Sequence, residues 1–399
     1  MGDSGPIVLI SAENCNAYSP VLTTHYIGGE IRRSDLFLVD SSFYRRFNVQ
    51  TMFGRRAVEI DPVNRLVYLD NGSKVAYDNL LIASGASARL LDNVDVDASQ
   101  YVSTLRTIDD ADKIRKACEK AKEVVVTGAG LVSLQTIKAI LGRGIRITAV
   151  VGSQQVLSQQ MDPESAAIIQ EKLEAQCVSI LFGRGVERVI RKGDRAHVVT
   201  SFSEALPADL VVVGKGVQPN TALVRDTGIR VNNGILVDGR MRTNLEDVFA
   251  AGDVAEGKNA ITGQMEVIAT WLNACAQGET AGLNMAGYSS ERQGQFRENV
   301  TTIVGVAVAS IGLFKPVEGE FKEVRYVDMK QGVYRKLFLD GPRVVGALLV
   351  GKIEDAGVIR HCIANEIDVS PWEGKIAMAS LNFGSILCGQ DFRWPLFTS

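Results

Sequence analysis

Cysteine is scarce in this sequence, and its spacing excludes several kinds of redox and metal site. The 399 residues contain six cysteines, and no two of them form a Cys-x-x-Cys pair. They are Cys15, Cys118, Cys177, Cys275, Cys362 and Cys388. A thioredoxin-like dithiol and a zinc knuckle both need such pairs and are therefore excluded. Isolated thiols suit a reducing compartment, so we expect the protein to be cytoplasmic.

The sequence also lacks an excess of charge of either sign and long apolar runs. Lysine and arginine total 43 against 46 aspartate and glutamate residues, which gives a net charge of −3. This balance argues against a broad basic face that binds nucleic acid. No apolar run reaches about 18 residues, so no membrane-spanning helix is expected. The first residues lack the charged and apolar regions of a signal peptide.

Multi-residue catalytic patterns are missing as well. The sequence has three histidines and shows no Ser-His-Asp arrangement, no metal-ligand cluster and no pair of catalytic carboxylates. We therefore expect no metal site, and we interpret the isolated His197 and His361 as structural.

The sequence does contain recurring strand, glycine-turn, helix and strand units. A length of 399 residues indicates two or three domains. In the clearest unit, an apolar strand at Val124–Val126 leads through the turn Thr127–Gly130 into a helix at Leu131–Leu141 and a second strand at Ile145–Val151. Apolar strands that alternate with helices are typical of a parallel sheet covered on both faces. The sequence therefore predicts an α/β fold.

Other segments predict antiparallel strands and a capped helix. A hairpin is expected over Leu66–Tyr77, because Asn71-Gly72 is a strong turn signal. Asp162 before Pro163 predicts the start of a helix. Three further antiparallel strands are predicted after Gly287: Val304–Ile311, Gly332–Leu339 and Val344–Val350.

The turn after the Val124 strand has most of a dinucleotide-binding fingerprint. Gly128 permits a tight turn, and Gly130 lets the backbone approach a pyrophosphate at the helix N-terminus. Ser133 stands where a third small residue packs helix against strand, and the next strand ends at Val151-Gly152-Ser153 without a carboxylate for the ribose. We therefore expect weak or absent nicotinamide nucleotide binding.

A second motif carries a resemblance to a known family. The segment Thr243–Val254 is an apolar strand that ends in Ala251-Gly252-Asp253, and it resembles the pyridine nucleotide-disulfide oxidoreductase superfamily of flavoprotein reductases. The branch of rubredoxin reductase, ferredoxin reductases and the flavin region of nitrite reductase is most similar. Further matching segments are Tyr18–Gly29, Tyr77–Gly85 with Ser84 in place of threonine, Gly214–Asn220, Trp271 and Gln277-Gly278.

This resemblance implies FAD as the cofactor and leaves NAD(P) doubtful. In the family, the aspartate of the second motif holds the ribityl and pyrophosphate groups of the flavin, so the implied residues here are Gly252 and Asp253. The other implied FAD contacts are Glu13, Ala57, Ser84, Gly85 and Trp271. The implied NAD-like loop comprises Gly128, Gly130 and Ser133. A flavin accepts a hydride and passes electrons on while the protein supplies position and electrostatics.

The sequence departs from the family pattern at its start and near the flavin. It begins at the family's second strand, Ile7–Ser11, so we expect an N-terminally incomplete FAD-binding domain. Four explanations remain open: a partner subunit that supplies the strand, rearranged local structure, loss of FAD, and a wrongly assigned start codon. No cysteine matches the family's redox cysteine, so disulfide chemistry is not expected. In many relatives a lysine and a glutamate form an ion pair over the flavin, and the matching positions here are His25 and Gln135, which cannot form that pair. Two alternatives remain: a hydrogen bond between neutral His25 and Gln135, or a purely structural role for His25.

The resemblance implies two Rossmann-like domains and a C-terminal α+β interface domain. The expected FAD-binding domain comprises residues 1–110 and 235–290, the NAD(P)-binding-like domain 111–234, and the interface domain 291–399. The expected function is an FAD-dependent NAD(P)H-linked oxidoreductase or electron-transfer subunit. The alternative is a non-catalytic structural subunit of a hetero-oligomeric oxidoreductase. Expected partners are a subunit that supplies the missing strand or accepts electrons, and a second copy at the interface domain.

Overall fold

A computed structural model describes residues 5–316, 320–372 and 376. The chain forms two compact units. Unit 1 comprises Met1–Gly128, Gln135–Thr148 and Val186–Gln295, and unit 2 comprises Ala129–Leu134, Ala149–Gly185 and Phe296–Ser399. Cys388 and the end of the expected interface domain lie outside the described residues.

The strands follow one another along the chain in this order. They are β1 (Ile7–Ser11), β2 (Val49–Phe53), β3 (Ala57–Asp61), β4 (Leu66–Leu69), β5 (Lys74–Ala76), β6 (Leu80–Ile82), β7 (Ala86–Ala88), β8 (Val102–Thr104), β9 (Glu123–Thr127), β10 (Arg146–Val151), β11 (Ser179–Phe182), β12 (Val186–Lys192), β13 (Arg195–Thr200), β14 (Ala205–Ala208), β15 (Leu210–Val213), β16 (Val217–Pro219), β17 (Ile235–Leu236), β18 (Val248–Ala250), β19 (Ala255–Lys258), β20 (Met265–Glu266), β21 (Glu298–Ile303), β22 (Val306–Gly312), β23 (Lys322–Asp328), β24 (Val333–Asp340) and β25 (Arg343–Val350). The helices are α1 (Thr23–Gly28), α2 (Ser41–Arg46), α3 (Ile108–Ala117), α4 (Leu131–Ile140), α5 (Pro163–Ala175), α6 (Trp271–Met285) and α7 (Ala356–Ala364).

Parallel strand pairs build the part of unit 1 that carries the candidate site. β15 lies between β8 and β9 and runs parallel to both. β18 pairs in parallel with β6, and β1 pairs in parallel with β2. All four residues of β15 are buried, as expected of an apolar strand covered on both faces. The α/β class predicted from the sequence is confirmed.

Antiparallel β-structure in unit 1 was predicted only in part. The predicted hairpin is confirmed as β4 and β5, and Gly72 adopts the left-handed backbone (φ +81°) that its turn requires. β12, β13 and β14 form a three-stranded antiparallel sheet that the sequence did not predict. On β12 only Val189 is buried, so the strand lacks the alternation of buried apolar and exposed polar residues that predicts a strand from sequence.

Unit 2 contains a five-stranded antiparallel sheet in the order β21-β22-β25-β24-β23. Three of these strands were predicted, whereas β21 and β23 were not. α7 covers the sheet and buries Ile359 and Cys362. Arg335 on β24 is fully buried, and its Nη2 lies 2.6 Å from Asp355 Oδ2 just before α7. Removing one partner of such a pair leaves an uncompensated buried charge, so the pair fixes α7 against β24.

A second polar link in unit 2 involves the predicted N-cap of α5. Asp162 accepts a backbone hydrogen bond from Ser165, which confirms that prediction. Its carboxylate also accepts from Tyr334 Oη at 2.5 Å and lies 3.2 Å from Lys336 Nζ. Burial raises the pKa of Asp162, but the hydrogen bonds from Ser165, Tyr334 and Lys336 outweigh burial and hold its pKa below the usual range. The carboxylate therefore stays charged and joins α5 to β24.

Candidate functional site

The turn after β18 presents a carboxylate at the carboxyl end of a buried parallel strand. Gly252 has a φ of +79°, which favours glycine, and Asp253 follows in a short 3₁₀ turn. The Gly252 amide donates to Gln277 Oε1 at 2.7 Å. Gln277 is fully buried on α6, so α6 fixes the position of this turn.

Arg106 is the partner of Asp253, and the sequence analysis missed it. Arg106 Nη2 lies 2.7 Å from Asp253 Oδ2, and the Asp253 side chain is 15% exposed. The Arg106 amide donates to Asp110 Oδ2 at 2.9 Å in the capping box of α3. Arg106 lies two residues after the end of β8, and ligands of α/β sheets bind at the carboxyl ends of strands. That position is the signal that could have identified it.

Gly85 lies against the same guanidinium. A Cβ added to Gly85 would stand 3.4 Å from Arg106 Nη2, and the φ of Gly85 is +67°. Ser84 Oγ donates to the Asn220 carbonyl at 3.0 Å, and Asn220 Nδ2 donates to the Ser84 carbonyl at 2.8 Å. These two hydrogen bonds join two segments that the sequence analysis singled out, Tyr77–Gly85 and Gly214–Asn220.

Glu13 lies just after β1, at the carboxyl end of another parallel strand. Tyr18 Oη donates to Glu13 Oε2 at 2.8 Å and accepts from the Ile108 amide at 3.0 Å. Burial raises the pKa of Tyr18, and the Glu13 carboxylate raises it further. Tyr18 thus stays protonated and orients the carboxylate. Ala57, the other predicted residue nearby, begins β3.

The N-terminus of α6 holds polar atoms that lack partners among the described residues. Trp271 is its first residue and is partly exposed, and the N-cap Thr270 makes no side-chain cap. Thr270 Oγ1 and Asn273 Oδ1 are both buried without a hydrogen-bond partner in that part of the chain. An unsatisfied buried polar group costs about 1–3 kcal/mol and needs an explanation. A helix N-terminus carries partial positive charge and favours electron-rich ligand atoms.

His25 and Gln135 occupy different elements of unit 1. His25 lies in α1, and its Nδ1 is 2.7 Å from Glu30 Oε2. The hydrogen bond from His25 lowers the pKa of Glu30. Gln135 lies in α4. The partner of His25 in this structure is thus a carboxylate five residues away, which the sequence analysis did not single out.

The NAD-like loop begins at Gly128, whose φ is +84°. In unit 2, Gly130 precedes α4 and Ser133 is buried within it. The Ala129 carbonyl accepts from the Leu157 amide at 2.9 Å. The segment after β10 therefore folds back onto the glycine turn.

Three of the cysteines in the described part of the chain have thiols whose pKa is raised. Burial raises the pKa of Cys118 to about 11 and that of Cys362 to about 11. Burial and nearby Glu13 also raise the pKa of Cys15. These thiols therefore stay protonated and unreactive at neutral pH. Among the described residues, no group of three His, Cys, Asp or Glu side chains could hold a metal ion. No helix there is long and apolar enough to cross a membrane.

Two family models match most of the chain. Residues 3–278 match the model described as pyridine nucleotide-disulphide oxidoreductase. Residues 299–367 match the model described as the rubredoxin NAD+ reductase C-terminal domain.

Individual proteins agree with these matches. The chain is 30% identical, over 98% of its length and 92% of the relative's, to the NADH-dependent phenylglyoxylate dehydrogenase subunit epsilon of Aromatoleum evansii. It is 31% identical to the rubredoxin-NAD(+) reductase of Pseudomonas putida, over 72% of the chain and 75% of that protein. The reductase in the covalent putidaredoxin reductase–putidaredoxin complex has a similar fold, with a TM-score of 0.88 and 24% identity over 97% of this chain and 93% of that one.

Proposed function

The chain belongs to the pyridine nucleotide-disulphide oxidoreductase family, and we propose that it is an FAD-dependent reductase that carries electrons from a nicotinamide nucleotide to a partner protein. The family is one of NAD(P)H-linked electron-transfer reductases. The observation that carries the proposal is the convergence of Asp253, Arg106 and Gly85 at the carboxyl ends of parallel strands. We further propose the division into residues 1–110 with 235–290, 111–234 and 291–399 as FAD-binding, NAD(P)-binding and interface domains.

The residues present fit FAD, which is typical of this family. The unpartnered Thr270 Oγ1 and Asn273 Oδ1 would find hydrogen-bond donors on a polar ring edge at the α6 N-terminus. Arg106 would hold the cofactor's diphosphate, since a planar guanidinium matches phosphate geometry. Glu13 would accept from ribose hydroxyls, as acidic residues after such strands do. Asp253 would accept from hydroxyls of the ribityl chain.

The chain's own residues in this proposal bind and orient rather than transfer protons. FAD, when bound, supplies the acceptance of a hydride and its release as electrons. Gln277 holds the Gly252 turn, and the capping box of α3 holds Arg106. Hydride transfer needs no general acid or base from the protein at the nicotinamide. The absence of a catalytic triad from the sequence therefore does not argue against a reductase.

The acceptor is proposed to be a redox protein or a partner subunit. The relative from Aromatoleum evansii is named as a subunit of a dehydrogenase, and the putidaredoxin reductase structure is a complex with putidaredoxin. Both names support an electron-transfer partner of this kind. A second copy of the chain, bound through residues 291–399, is proposed as well. The spread of single thiols along the sequence supports a cytoplasmic location.

Turnover with an artificial one-electron acceptor tests the proposal. Protein loaded with FAD is mixed with NADPH or NADH and ferricyanide, and the loss of ferricyanide colour is followed. We expect steady turnover that depends on both FAD and nucleotide. A structural subunit, the alternative that the comparisons do not support, would leave ferricyanide unreduced with either nucleotide.

A further inference from the structure

The Tyr18 hydroxyl lies between the end of β1 and the start of α3 and bonds to both. It donates to Glu13 Oε2 at 2.8 Å and accepts from the Ile108 amide at 3.0 Å. Ile108 is the first residue of α3, and the first amides of a helix have no acceptor within the helix. Tyr18 thus satisfies an end amide of α3 and holds a carboxylate with the same oxygen atom.

The same start of α3 fixes the backbone of Arg106. Asp110 Oδ2 accepts from the Arg106 amide at 2.9 Å and from the Thr107 amide at 3.1 Å, within the capping box of the helix. Thr107 Oγ1 accepts in return from the Asp110 amide at 3.1 Å. Arg106 and Ile108 are therefore held two positions apart on one capped turn.

Further contacts keep Tyr18 and Glu13 in place. The backbone of Tyr18 forms an antiparallel β-bridge with Phe37. The Glu13 amide donates to Ser11 Oγ at 3.2 Å, which ties this residue to the last position of β1. Burial raises the pKa of Tyr18, and the Glu13 carboxylate raises it further, so the hydroxyl remains a donor. The Glu13 carboxylate therefore has a fixed direction, with Oε2 engaged and Oε1 without a partner among the described residues.

A carboxylate held in this way is better prepared to bind a ligand than a mobile one. A side chain that is already ordered loses less conformational entropy on binding. The bonds from the Ile108 amide to Tyr18 and from Tyr18 to Glu13 form a chain, and bonds in a chain polarise and strengthen one another. Loss of the Tyr18 hydroxyl would release the Glu13 side chain and leave the Ile108 amide without this acceptor.

We propose that Tyr18 is a positioning residue that sets the place of the Glu13 carboxylate relative to Arg106, and that this spacing makes the site select FAD over FMN. The inference rests on the proposed function, in which Arg106 holds the diphosphate and Glu13 accepts from ribose hydroxyls of the adenosine half. FMN has no adenosine half, so it gains nothing from the spacing between these two groups. Tyr18 itself bonds to neither phosphate nor ribose and acts through Glu13.

Flavin titration of a double-mutant cycle tests this inference. The Kd values for FAD and for FMN are measured from flavin fluorescence with the wild type, Tyr18→Phe, Glu13→Ala and the double variant. We expect Tyr18→Phe to raise the Kd for FAD by about tenfold and to leave the Kd for FMN unchanged. The double variant should bind FAD no more weakly than Glu13→Ala alone, because the Tyr18 hydroxyl acts through that carboxylate.

Tyr26→Phe is the matched control. Tyr26 Oη donates to Asp112 Oδ1 at 2.7 Å, so this change also removes a bond from a tyrosine to a carboxylate that contacts α3. Asp112 has no proposed contact with the cofactor, and the FAD affinity of Tyr26→Phe should equal that of the wild type. Urea unfolding of the flavin-free variants separates lost stability from lost affinity.

The outcomes distinguish this inference from the proposed function. Unchanged FAD affinity in Tyr18→Phe, or losses that add in the double variant, would overturn the inference while the proposed function stands. Equal losses of FAD affinity in Tyr18→Phe and Tyr26→Phe would also overturn it, because they would show a structural role alone. A wild type that binds FMN as tightly as FAD would contradict the selectivity, and one that binds neither flavin would contradict the proposed function as well.

Discussion

Arg106 and Asp253, separated by 147 positions in the sequence, form a part-buried ion pair with 2.7 Å between Nη2 and Oδ2. Each residue follows a parallel strand, β8 and β18 respectively. Two opposite charges at strand ends offer one group for phosphate and one for hydroxyls. The pair thus explains how segments distant in sequence build one candidate cofactor site.

The Asp253 carboxylate should be needed for FAD binding. Asp253→Asn removes the charge but keeps the shape, and loss of a hydrogen bond to a charged group costs about 1.5–3 kcal/mol. We expect the Kd for FAD to rise by about tenfold to a hundredfold in a fluorescence titration. Asp247→Asn is the control, since Asp247 forms an exposed pair with Arg65. Equal affinity in the two variants would refute the assignment of Asp253.

Gly85 should matter because of its contact with Arg106. Gly85→Ala introduces a Cβ 3.4 Å from Arg106 Nη2 and strains a backbone with φ +67°. Gly72→Ala is a control for strain alone, because Gly72 has φ +81° and no atom within 4 Å of an added Cβ. Both should lose about 1 kcal/mol of unfolding free energy. Only Gly85→Ala should also weaken FAD binding, and a loss of affinity in Gly72→Ala would contradict the contact argument.

Thr270 should have opposite effects on stability and on cofactor binding. Thr270→Val removes a buried hydroxyl without a partner in the described structure, so the FAD-free protein should gain about 1 kcal/mol in denaturant unfolding. The same change should reduce FAD affinity, because the hydroxyl could no longer bind the cofactor. Thr280→Val should destabilise instead, since Thr280 Oγ1 donates to the Ala276 carbonyl at 2.9 Å. If Thr270→Val and Thr280→Val both destabilised the FAD-free protein, the Thr270 hydroxyl could not be an unsatisfied group kept for FAD.

The stability contributed by Asp162 should depend on pH. Its pKa is lowered in the folded protein, so its contribution is present above the ordinary aspartate pKa of about 3.9. It is lost as pH falls through the lower folded pKa, because protonation weakens the bonds to Tyr334 and Lys336. Asp162→Asn should therefore cost about 1–3 kcal/mol near neutral pH and much less near pH 2.

Asp368→Asn is the control for this prediction. Hydrogen bonds from Ser370 lower the pKa of Asp368, but Asp368 lies on an exposed segment. Asp368→Asn should change the global unfolding free energy far less at either pH. A pH-independent loss in Asp162→Asn would mean that shape rather than charge joins α5 to β24. Urea denaturation at the two pH values measures both variants.

Local signals accounted for much of the fold. The β9–α4 unit was predictable because a buried apolar strand runs into Gly128 and an amphipathic helix, and the hairpin because Asn71-Gly72 favours its turn. β12 and β23 were missed because four of the seven side chains in each strand are exposed. Strands whose stability comes from their partners carry little signal of their own.

The candidate site was predictable in its motifs but not in its contacts. Asp253 and Gly85 were named from the sequence, and their roles remain predictions. The Arg106 contact joins positions far apart in the chain, and the His25–Glu30 pair has a spacing of five residues, outside the i, i+3 and i, i+4 pairs of a helix. Nothing local marks either pairing. Such contacts are decided by which strand ends the sheet brings together.

Anaerobic titration of the FAD-loaded protein with a nicotinamide nucleotide tests the central claim most directly. The account predicts that stepwise addition of NADH or NADPH bleaches the visible absorption of the flavin, with one hydride equivalent consumed per FAD. It also predicts that Asp253→Asn protein retains too little FAD to show the change. A protein that binds FAD fully, yet keeps its flavin absorption unchanged with excess NADPH and with excess NADH, would contradict the account.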